Sequence, residues 1–514
     1  MDFPILVSLF CVCFIYILLL TFQRLHLSPI SHIPGPKLAA ATFWYEFYYD
    51  IILGGKYIWK IKALHEQYGP IIRINPYELH VIDPDFWDIM YTASTNSNRR
   101  DKWSWQTKGI GIPASLIGTV EHALHRVRRG ALNPFFSMQN VRKLLPVVEE
   151  RVEALIHRLK AASEGKEIVK MEYAFSAYTN DVVMQYCFGR SEHHIEAPGF
   201  DPLFHVTSFN AAKSISLLRN MNWILDIMLA LPESVAMKMG AEVSSSIVLK
   251  RERINQIEEI RCEGSVKLES QSYKTIFHTL LQSDLPAREK ETDRLAEEAV
   301  LIVGAGTHTT SWILTVITFN LLSNPALLRR LKDELKSVQS GSENKPSLID
   351  LERLPFLTGV LKEGIRLGYG TTARSARIAP DITLQCNDWT IPAGTPVSMT
   401  IPLTHHNESI FPNSDAFEPD RWLREDAKRL DKYLVSFSKG SRACAGLNLA
   451  WAELYLCIAG VFSHFGSKDV KDTKDIGVLE LFGTDESDVK MVRDMFFPIP
   501  KDGSKGVRVK ALVN

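Results

Sequence analysis

Cys444 lies in a loop whose residue types favour a thiolate. Residues 437–446 read Phe-Ser-Lys-Gly-Ser-Arg-Ala-Cys-Ala-Gly, and an apolar helical segment follows. Amide groups at the start of that helix would point at the sulfur, and the helix dipole would favour negative charge there. Gly440 and Gly446 let the backbone bend and approach closely. Arg442 adds a cation and Phe437 a flat apolar shield, so the loop predicts a soft metal ligand.

The number of available ligands narrows the choice of metal. A zinc site needs several protein ligands, and the sequence around Cys444 offers no histidine or cysteine partner. A haem needs only one, because the porphyrin supplies four nitrogens. The loop therefore predicts Cys444 as the axial ligand of a haem iron. The alternative for any lone cysteine is a buried structural residue.

Three further segments carry unusual patterns. Gly304–Thr310 reads GAGTHTT inside a long helical candidate, where each glycine costs about 1 kcal/mol relative to alanine and so needs a reason. Glu363 and Arg366 are three residues apart and share one helix face. That pair alone is a weak signal, since such pairs are usually solvated. His125–Arg129 is a basic run in which any single arginine could belong to the solvated surface.

The elements that must position these residues are mostly helical. Strand signals are short, and composition does not shift sharply after Pro36, so we predict one catalytic domain over residues 27–514. The helical candidates are Val141–Ala162, Thr292–Leu322, Leu351–Arg366 and Leu447–Phe465. The strand candidates are Ile71–Ile74, His80–Ile82, Thr383–Leu384 and Pro396–Thr400.

The N-terminus is almost purely apolar from Phe3 to Phe22. About 20 such residues cross the hydrocarbon core of a bilayer, so residues 1–26 are predicted to be a transmembrane anchor. A cleaved signal peptide is the alternative, but it would have a basic start and a shorter apolar core. Arg24 and Lys37 favour a cytosolic catalytic domain. Pro34–Pro36 should turn the chain out of the membrane.

Overall composition excludes some classes of function. The chain has 59 Lys and Arg residues and 59 Asp and Glu residues, so its formal net charge is zero. This balance gives no support to a nucleic-acid partner. Seven scattered cysteines without a Cys-x-x-Cys pair indicate a reduced compartment and not a disulfide scaffold. The apolar stretch Val206–Gly240 is either buried helix or a surface that dips into the bilayer interface.

The loop at Cys444 matches F-x-x-G-x-R-x-C-x-G, and the chain resembles the cytochrome P-450 superfamily over nearly its whole length. Trp59–Asp83 and Arg100–Ser137 resemble fungal members most, in particular those similar to trichodiene oxygenase. The resemblance implies haem b with an axial cysteine thiolate. It also implies a mainly α fold with small β-sheets, preceded by a single N-terminal transmembrane helix.

The resemblance also implies which residues bind the haem propionates. In the family a Trp or His and an Arg four residues later do so, and counting back from Pro134 gives His125 and Arg129. His122 and Arg126 have the same spacing and form an alternative register. The other cofactor-binding residues that the resemblance implies are Arg377, Phe437, Arg442 and Gly446.

On the oxygen-binding side, the resemblance places Gly304–Thr310 across the haem and gives Thr309 a role in proton delivery. His308 stands where the family usually has Asp or Glu. An unperturbed pKa of ~6.5 would let it relay protons. Alternatively, it points away and makes a structural hydrogen bond. By the same resemblance Glu363, Arg366 and Arg421 form a buried structural triad.

The implied function is a membrane-bound monooxygenase that hydroxylates or epoxidises a small apolar molecule with O₂. Electrons would come from NADPH-cytochrome P-450 reductase, since the chain has no evident Gly-rich dinucleotide fingerprint. We expect a role in fungal terpenoid or polyketide secondary metabolism, single-pass in the endoplasmic reticulum membrane and facing the cytosol. A basic docking face for the reductase is predicted at Arg126, Arg128, Arg142, Lys143 and Lys439.

Two other functions stay open. A haem-thiolate isomerase or dehydratase would act on an oxidised intermediate without net oxygenation, and only His308 speaks for it. A non-enzymatic haem-binding or membrane-scaffold protein is the second. The segments expected to line the pocket are Trp103–Val120, Phe204–Leu225, Ala305–Thr309, Gly368–Ala373 and Leu481–Glu486.

Overall fold

A computed structural model describes residues 3–93, 95, 98–263, 273–339 and 346–514. Helices dominate it, as predicted. In the N-terminal half they are α1 Phe3–Phe22, α2 Lys37–Ala41, α3 Trp44–Phe47, α4 Tyr57–Tyr68, α5 Phe86–Met90, α6 Ser104–Lys108, α7 His122–Leu132, α8 Met138–Glu164, α9 Met171–Phe188, α10 Pro202–Asn220, α11 Trp223–Ala230, α12 Glu233–Ala236 and α13 Ala241–Glu263. In the C-terminal half they are α14 Ile276–Gln282, α15 Thr292–Ser323, α16 Pro325–Gln339, α17 Leu348–Glu352, α18 Pro355–Gly368, α19 Ile401–His405, α20 Ala427–Asp431 and α21 Leu447–His464.

The strands are short and form four small sheets. They are β1 Ile71–Arg73, β2 Leu79–Val81, β3 Asp101–Lys102, β4 Ile168–Lys170, β5 Arg377–Ile378, β6 Leu384–Cys386, β7 Trp389–Ile391, β8 Pro396–Ser398, β9 Phe465–Gly466, β10 Gly477–Leu481, β11 Arg493–Met495, β12 Phe497–Ile499 and β13 Arg508–Leu512. The strand orders are β1-β2-β8-β5-β3, β4-β13-β10-β9, β11-β12 and β6-β7. In the first sheet Arg377 pairs with Val397 of β8, which brings the chain beyond α18 back beside β2.

α15 is the central helix of the domain. Most of its residues are buried, and it packs against α9, α13, α18 and α21. α9 is buried on nearly all sides, so its sequence lacks the amphipathic period by which a surface helix is found. Together these helices place the Gly304–Thr310 segment inside the domain.

One helical prediction needs a correction. Leu351–Arg366 was expected as one helix, but the chain forms α17 and then α18. Pro355 is the reason, because proline lacks the N–H that a continuous helix needs and fits only its first turn. Glu363 and Arg366 consequently lie in the last turns of α18.

The apolar N-terminal helix is exposed at most of the positions that the structure describes. The span Val7–Leu27 is long and apolar enough to cross a membrane, and none of it is buried. α15 passes the same length test but is mostly buried within the domain. Beyond the helix, Gly35 has φ +156 and packs so tightly on Arg73 that a side chain would collide with its backbone. Met1 and Asp2, which begin the predicted anchor, lie outside the described residues.

The stretch Val206–Gly240 divides between the two alternatives. α10 is partly buried, with Ser208 and Leu218 inside. α11, α12 and the segment after them leave large apolar side chains exposed, namely Trp223, Ile227, Val235, Met237 and Met239. An exposed apolar surface therefore describes the second half of the stretch.

Candidate active site

The loop around Cys444 is closed by its own backbone. The Cys444 N–H donates to the Phe437 carbonyl over 2.8 Å, so the loop folds back on itself. Gly440 has φ +69, and a Cβ there would collide with the carbonyl oxygen of Thr92. Gly446 directly precedes α21, has φ −83, and a Cβ there would meet nothing within 4 Å. Gly440 is therefore required by its conformation and by close approach, whereas neither reason applies to Gly446.

The Cys444 side chain is exposed and stands apart from other ligating groups. The protein atoms packed around it nevertheless desolvate the thiol and raise its pKa, while the Gly446 N–H and the Arg129 guanidinium act in the opposite direction. Among the described residues, no group of three His, Cys, Asp or Glu side chains could hold a metal ion. All seven cysteines are free. A bound metal cation would deprotonate such a thiol outright, which suits a cofactor that brings its remaining ligands with it.

Three buried basic side chains lie around this loop, His125 in α7, Lys102 in β3 and Arg377 in β5, together with the half-buried Arg442 of the loop itself. Burial, followed by repulsion from Arg442, lowers the pKa of His125 to about 2. Burial, followed by repulsion from Arg377, lowers the pKa of Arg442 to about 9. The pKa of Lys102 in β3 is lowered well below its usual value in the same way, by burial and then by repulsion from Arg377 and Arg442. The carboxylate of Asp101 acts on Arg442 in the opposite direction.

This donor set fits a haem. Clustered buried cations repel one another and need anions to offset the cost of burial. The two propionates of haem b carry two such charges, and arginine forks bind carboxylates well. Arg377, Arg442, Lys102 and His125 could receive them, with Cys444 below as the one protein ligand. Sequence reasoning missed Lys102, because only the β3–β5 pairing brings it beside Arg377.

The structure distinguishes the two helix registers in α7. His125 is buried, and Arg129 donates to the Ala443 carbonyl over 2.8 Å and to the Cys444 carbonyl over 3.4 Å. Both ring nitrogens of His122 are buried without hydrogen-bond partners among the described residues. Arg126 is exposed. Arg129 therefore contacts the cysteine loop, and His125 is buried close enough to Arg442 of that loop to feel its charge, whereas in the alternative register only His122 turns inward.

Phe437 and Arg442 complete the loop's surroundings. The Phe437 ring packs against Trp451 of α21 with centroids 6.3 Å apart. Arg442 donates to the carbonyls of Thr119 and Val120 over 2.8 and 2.7 Å. Part of its hydrogen-bonding capacity thus fixes a distant loop, and only part can serve a cofactor.

The Gly304–Thr310 segment stays helical and carries one distinctive hydroxyl. Thr309 Oγ1 donates to the Ala305 carbonyl over 2.9 Å. A Cβ on Gly306 would come within 3.1 Å of Val183 in α9, so that glycine serves helix packing. A Cβ on Gly304 would meet nothing within 4 Å. Gly304, Ala305 and Thr309 therefore offer open space on one side of α15.

His308 points to the other side of the helix. Its ring packs among His205, Phe209 and Phe497, with centroids 5.6–6.2 Å away. Burial lowers its pKa to about 4, and a hydrogen bond to the Ser208 backbone offsets part of that shift. His308 is therefore neutral near pH 7. This arrangement supports the structural alternative over the relay.

The expected triad comes together in the core. Arg366 binds Glu363 through two hydrogen bonds of 2.9 and 2.6 Å, and Arg421 Nε lies 3.4 Å from the same carboxylate. The Trp422 indole N–H also donates to Glu363 over 2.9 Å. His405 joins this group to the cysteine loop, since it contacts the Arg366 carbonyl and accepts the Val435 N–H. The sequence contained no signal for His405.

Two predicted surfaces change in the structure. Arg128 is buried in an ion pair with Glu289 at 2.7 Å, and Lys439 pairs with Asp88 at 2.6 Å. These two are therefore not free members of a docking face.

The segment Leu481–Glu486, which was predicted to line the pocket, lies at the end of β10. Phe497, after the β11–β12 turn, is the residue of this part of the chain that packs against His308.

Comparisons with known proteins identify the family of the chain. A family model described as Cytochrome P-450 matches residues 34–491. Cytochrome P-450 monooxygenase tpcC of Cochliobolus heterostrophus is 45% identical, with 99% of this chain and 98% of that protein covered. Tryptophan 6-hydroxylase fscE of Fusarium equiseti is 39% identical, with 95% and 94% covered.

Cytochrome P-450 monooxygenase oblB of Emericella variicolor is 38% identical, with 96% of this chain and 90% of that protein covered. The structure of retinoic acid bound cyanobacterial CYP120A1 is similar in fold, with a TM-score of 0.67 and 19% identity, covering 88% of this chain and 94% of that one. The chain belongs to the cytochrome P-450 family and is a haem-thiolate monooxygenase.

Proposed function

We propose that the chain is a membrane-bound monooxygenase that hydroxylates or epoxidises an apolar small molecule in fungal secondary metabolism, with a terpenoid or polyketide as substrate. The observation that carries the proposal is the set of basic side chains around the Cys444 loop, with the Thr309 hydroxyl on the open side of α15. Its fungal relatives include monooxygenases and a tryptophan hydroxylase, which supports an organic small-molecule substrate.

In this proposal the chain's own residues hold and orient the cofactor. Cys444 would supply the thiolate ligand, with Phe437 and Gly446 shaping the loop around it. Arg129, Arg377 and Arg442 would neutralise the propionates, and the neutral imidazole of His125 would donate a hydrogen bond to one of them. When bound, the haem supplies the iron at which dioxygen is activated, with thiolate electron push favouring O–O cleavage.

The open space beside Gly304, Ala305 and Thr309 is called the groove of α15. In this proposal Thr309 holds a proton donor there. Its hydroxyl already donates to the Ala305 carbonyl, so its oxygen is free to accept from water. His308, neutral and turned toward α10, is proposed to position the helix and not to move protons. His308 was the one sequence feature that favoured an isomerase or dehydratase, and a structural role for it removes that support.

Electrons are proposed to come from NADPH-cytochrome P-450 reductase. Of the predicted basic face, Arg126, Arg142 and Lys143 remain exposed on α7 and α8. Exposed cations at this spacing attract an acidic partner and raise its association rate. Reconstitution with the reductase tests the function, because turnover that requires NADPH and O₂ supports a monooxygenase. Turnover without either would favour an isomerase or dehydratase.

The N-terminal helix is proposed to anchor the protein in the endoplasmic reticulum membrane, with residues 1–26 as the anchor and 27–514 as the cytosolic catalytic domain. Val7–Leu27 is apolar and unburied, which supports a bilayer span. Deletion of residues 1–26 should release the protein from microsomes. Complete retention would mean that another surface holds it, with the exposed α11–α12 side chains the first candidates.

The substrate is best found in the producing cell. Deletion of the gene with metabolite profiling should make one apolar intermediate accumulate. An unchanged metabolite profile would remove the proposed place in secondary metabolism.

A further inference from the structure

Residues 112–120 form a compact loop between α6 and α7, here called the knot for its dense internal hydrogen bonds. Ser115 Oγ donates to the Ile112 carbonyl over 2.7 Å and accepts the Gly118 N–H over 3.2 Å. Thr119 Oγ1 donates to the Ser115 carbonyl over 2.8 Å. A Cβ on Gly118 would collide with the Ile112 carbonyl, so only glycine permits this closure. The knot therefore moves as one unit.

Two consecutive carboxylates of α15 hold one end of the knot. Glu297 Oε2 accepts the Ala114 N–H over 2.7 Å, and Glu298 accepts the Leu116 N–H over 3.1 Å. Both glutamates are buried. Glu298 also pairs with Arg294 at 2.7 Å within the helix. Charge-assisted hydrogen bonds to backbone amides are among the stronger protein contacts, so the knot's position follows α15.

The other end of the knot is tied to the cysteine loop. Arg442 donates to the Thr119 and Val120 carbonyls, and Lys102 Nζ donates to the Ile117 carbonyl. Arg442 is two residues from Cys444. The knot thus connects the cysteine loop with the N-terminal half of α15, which leads into the Gly304–Thr309 groove.

Glu297 makes a second contact that Glu298 does not. Its Oε1 lies 2.9 Å from Lys250 Nζ of α13, and α13 packs against α10. α10 in turn contacts the chain just before the knot, where a Cβ on Gly109 would collide with Arg219. One carboxylate therefore joins three elements around the proposed pocket, namely the knot, α15 and the α10–α13 pair.

We propose that Glu297 is a positioning residue that sets the width of the substrate cavity, by fixing the 112–120 knot to α15 while Lys250 holds α13 to the same carboxylate. Its two oxygens satisfy two donors from different elements. Glutamine has nearly the same shape but only one acceptor oxygen, so Glu297→Gln must leave the Ala114 amide or the Lys250 ammonium facing an NH₂ group. The inference rests on the proposed function, because it concerns the pocket of that same site.

Two measurements on the full-length protein test it. Hydrogen exchange over residues 112–120 should be faster in Glu297→Gln by roughly tenfold or more, because a charge-assisted hydrogen bond is lost. In the haem-loaded protein, the affinity for bulky 4-phenylimidazole should change about fivefold or more relative to the affinity for small imidazole. A changed cavity width alters the fit of the bulky azole, whereas imidazole reports only access to the iron.

Glu259→Gln is the matched control, since Glu259 pairs with Arg190 at 2.7 Å on the exposed side of α13. It should leave both readouts unchanged. Lys250→Gln, at a partly exposed position, should shift both in the same direction by less, and it keeps the test decisive if Glu297→Gln does not fold.

Unaltered exchange over 112–120 in Glu297→Gln, or an unaltered azole ratio in both variants, would overturn the inference. Failure of the wild-type protein to bind either azole would instead contradict the proposed function. The exchange measurement needs no cofactor, so the two failures are distinguishable.

Discussion

The cysteine loop and the open side of α15 are built in opposite ways. The loop is fixed by main-chain contacts, with the Cys444 N–H bonded to Phe437 and Gly440 pressed on Thr92. Around the groove of α15, position depends on side chains from distant segments, such as Glu297 reaching Ala114 and Lys250. Main-chain constraints tolerate few sequences. Side-chain contacts can be exchanged, so the open side of α15 can be adapted to different substrates without disturbing the cysteine loop.

The largest difference between the two regions should appear in stability. Arg366→Ala would strand Glu363 in the core behind the cysteine loop, at a cost of about 3–5 kcal/mol in the free energy of unfolding. Denaturant unfolding with haem content as a second readout measures it. Arg330→Ala is the control, because its pair with Asp420 is exposed and should be worth less than about 1 kcal/mol. Equal losses in the two variants would refute the buried role of Glu363.

The groove should instead show its largest effect in chemistry. Thr309→Ala removes the hydroxyl proposed to hold the proton donor, so product formed per NADPH should fall about tenfold or more while the fold is retained. Thr315→Ala is a close control, because Thr315 makes the same bond to a carbonyl four residues earlier in α15. Tight coupling in Thr309→Ala would remove its proposed role.

Replacing Arg442 tests the link between the two regions. Arg442→Leu removes the largest repulsion on His125 and two bonds to the 112–120 knot. The pKa of His125 should rise, and haem should dissociate several-fold faster because one propionate partner is lost. NMR titration of the apoprotein and haem transfer to apomyoglobin measure the two effects. An unchanged His125 pKa would contradict the cation cluster.

His308 should give the smallest effect near neutral pH, and its effect should grow as the pH falls. Its folded pKa of about 4 lies below the unfolded value of ~6.5, so its contribution is complete above pH 6.5 and is lost as the pH falls toward 4. Over that window it should lower the free energy of unfolding by up to about 1.4 kcal/mol per pH unit. His308→Gln should make the acid slope shallower. An unchanged slope, or a large loss of coupling, would revive the relay.

Local patterns predicted much of this fold and site. The predicted helix Leu447–Phe465 corresponds to α21 at Leu447–His464, and the positive φ and close approach of Gly440 explain that glycine of the cysteine loop. α9 was missed because it is buried on all sides and has no amphipathic period. The sheet of β4, β13, β10 and β9 was missed because its strands are short and because β4 pairs with β13 across more than 300 residues.

The unpredicted site residues share one property. Lys102 lies beside Arg377 and Glu297 binds the Ala114 amide, and both partners are far away in the sequence, on segments whose course the sequence does not specify. His405 connects α18 to the cysteine loop through two ring nitrogens, and no spacing rule marks it. Residue types showed which chemistry was possible, whereas the partners depended on tertiary structure.

The reduced carbon-monoxide spectrum of Cys444→Ser tests the central proposal most directly. The wild-type protein should show the Soret band characteristic of thiolate ligation. Cys444→Ser should lose that band. Cys457→Ser, which changes a buried cysteine within α21, should keep it. A thiolate-type band that persists in Cys444→Ser would contradict the assignment of Cys444 as the haem ligand.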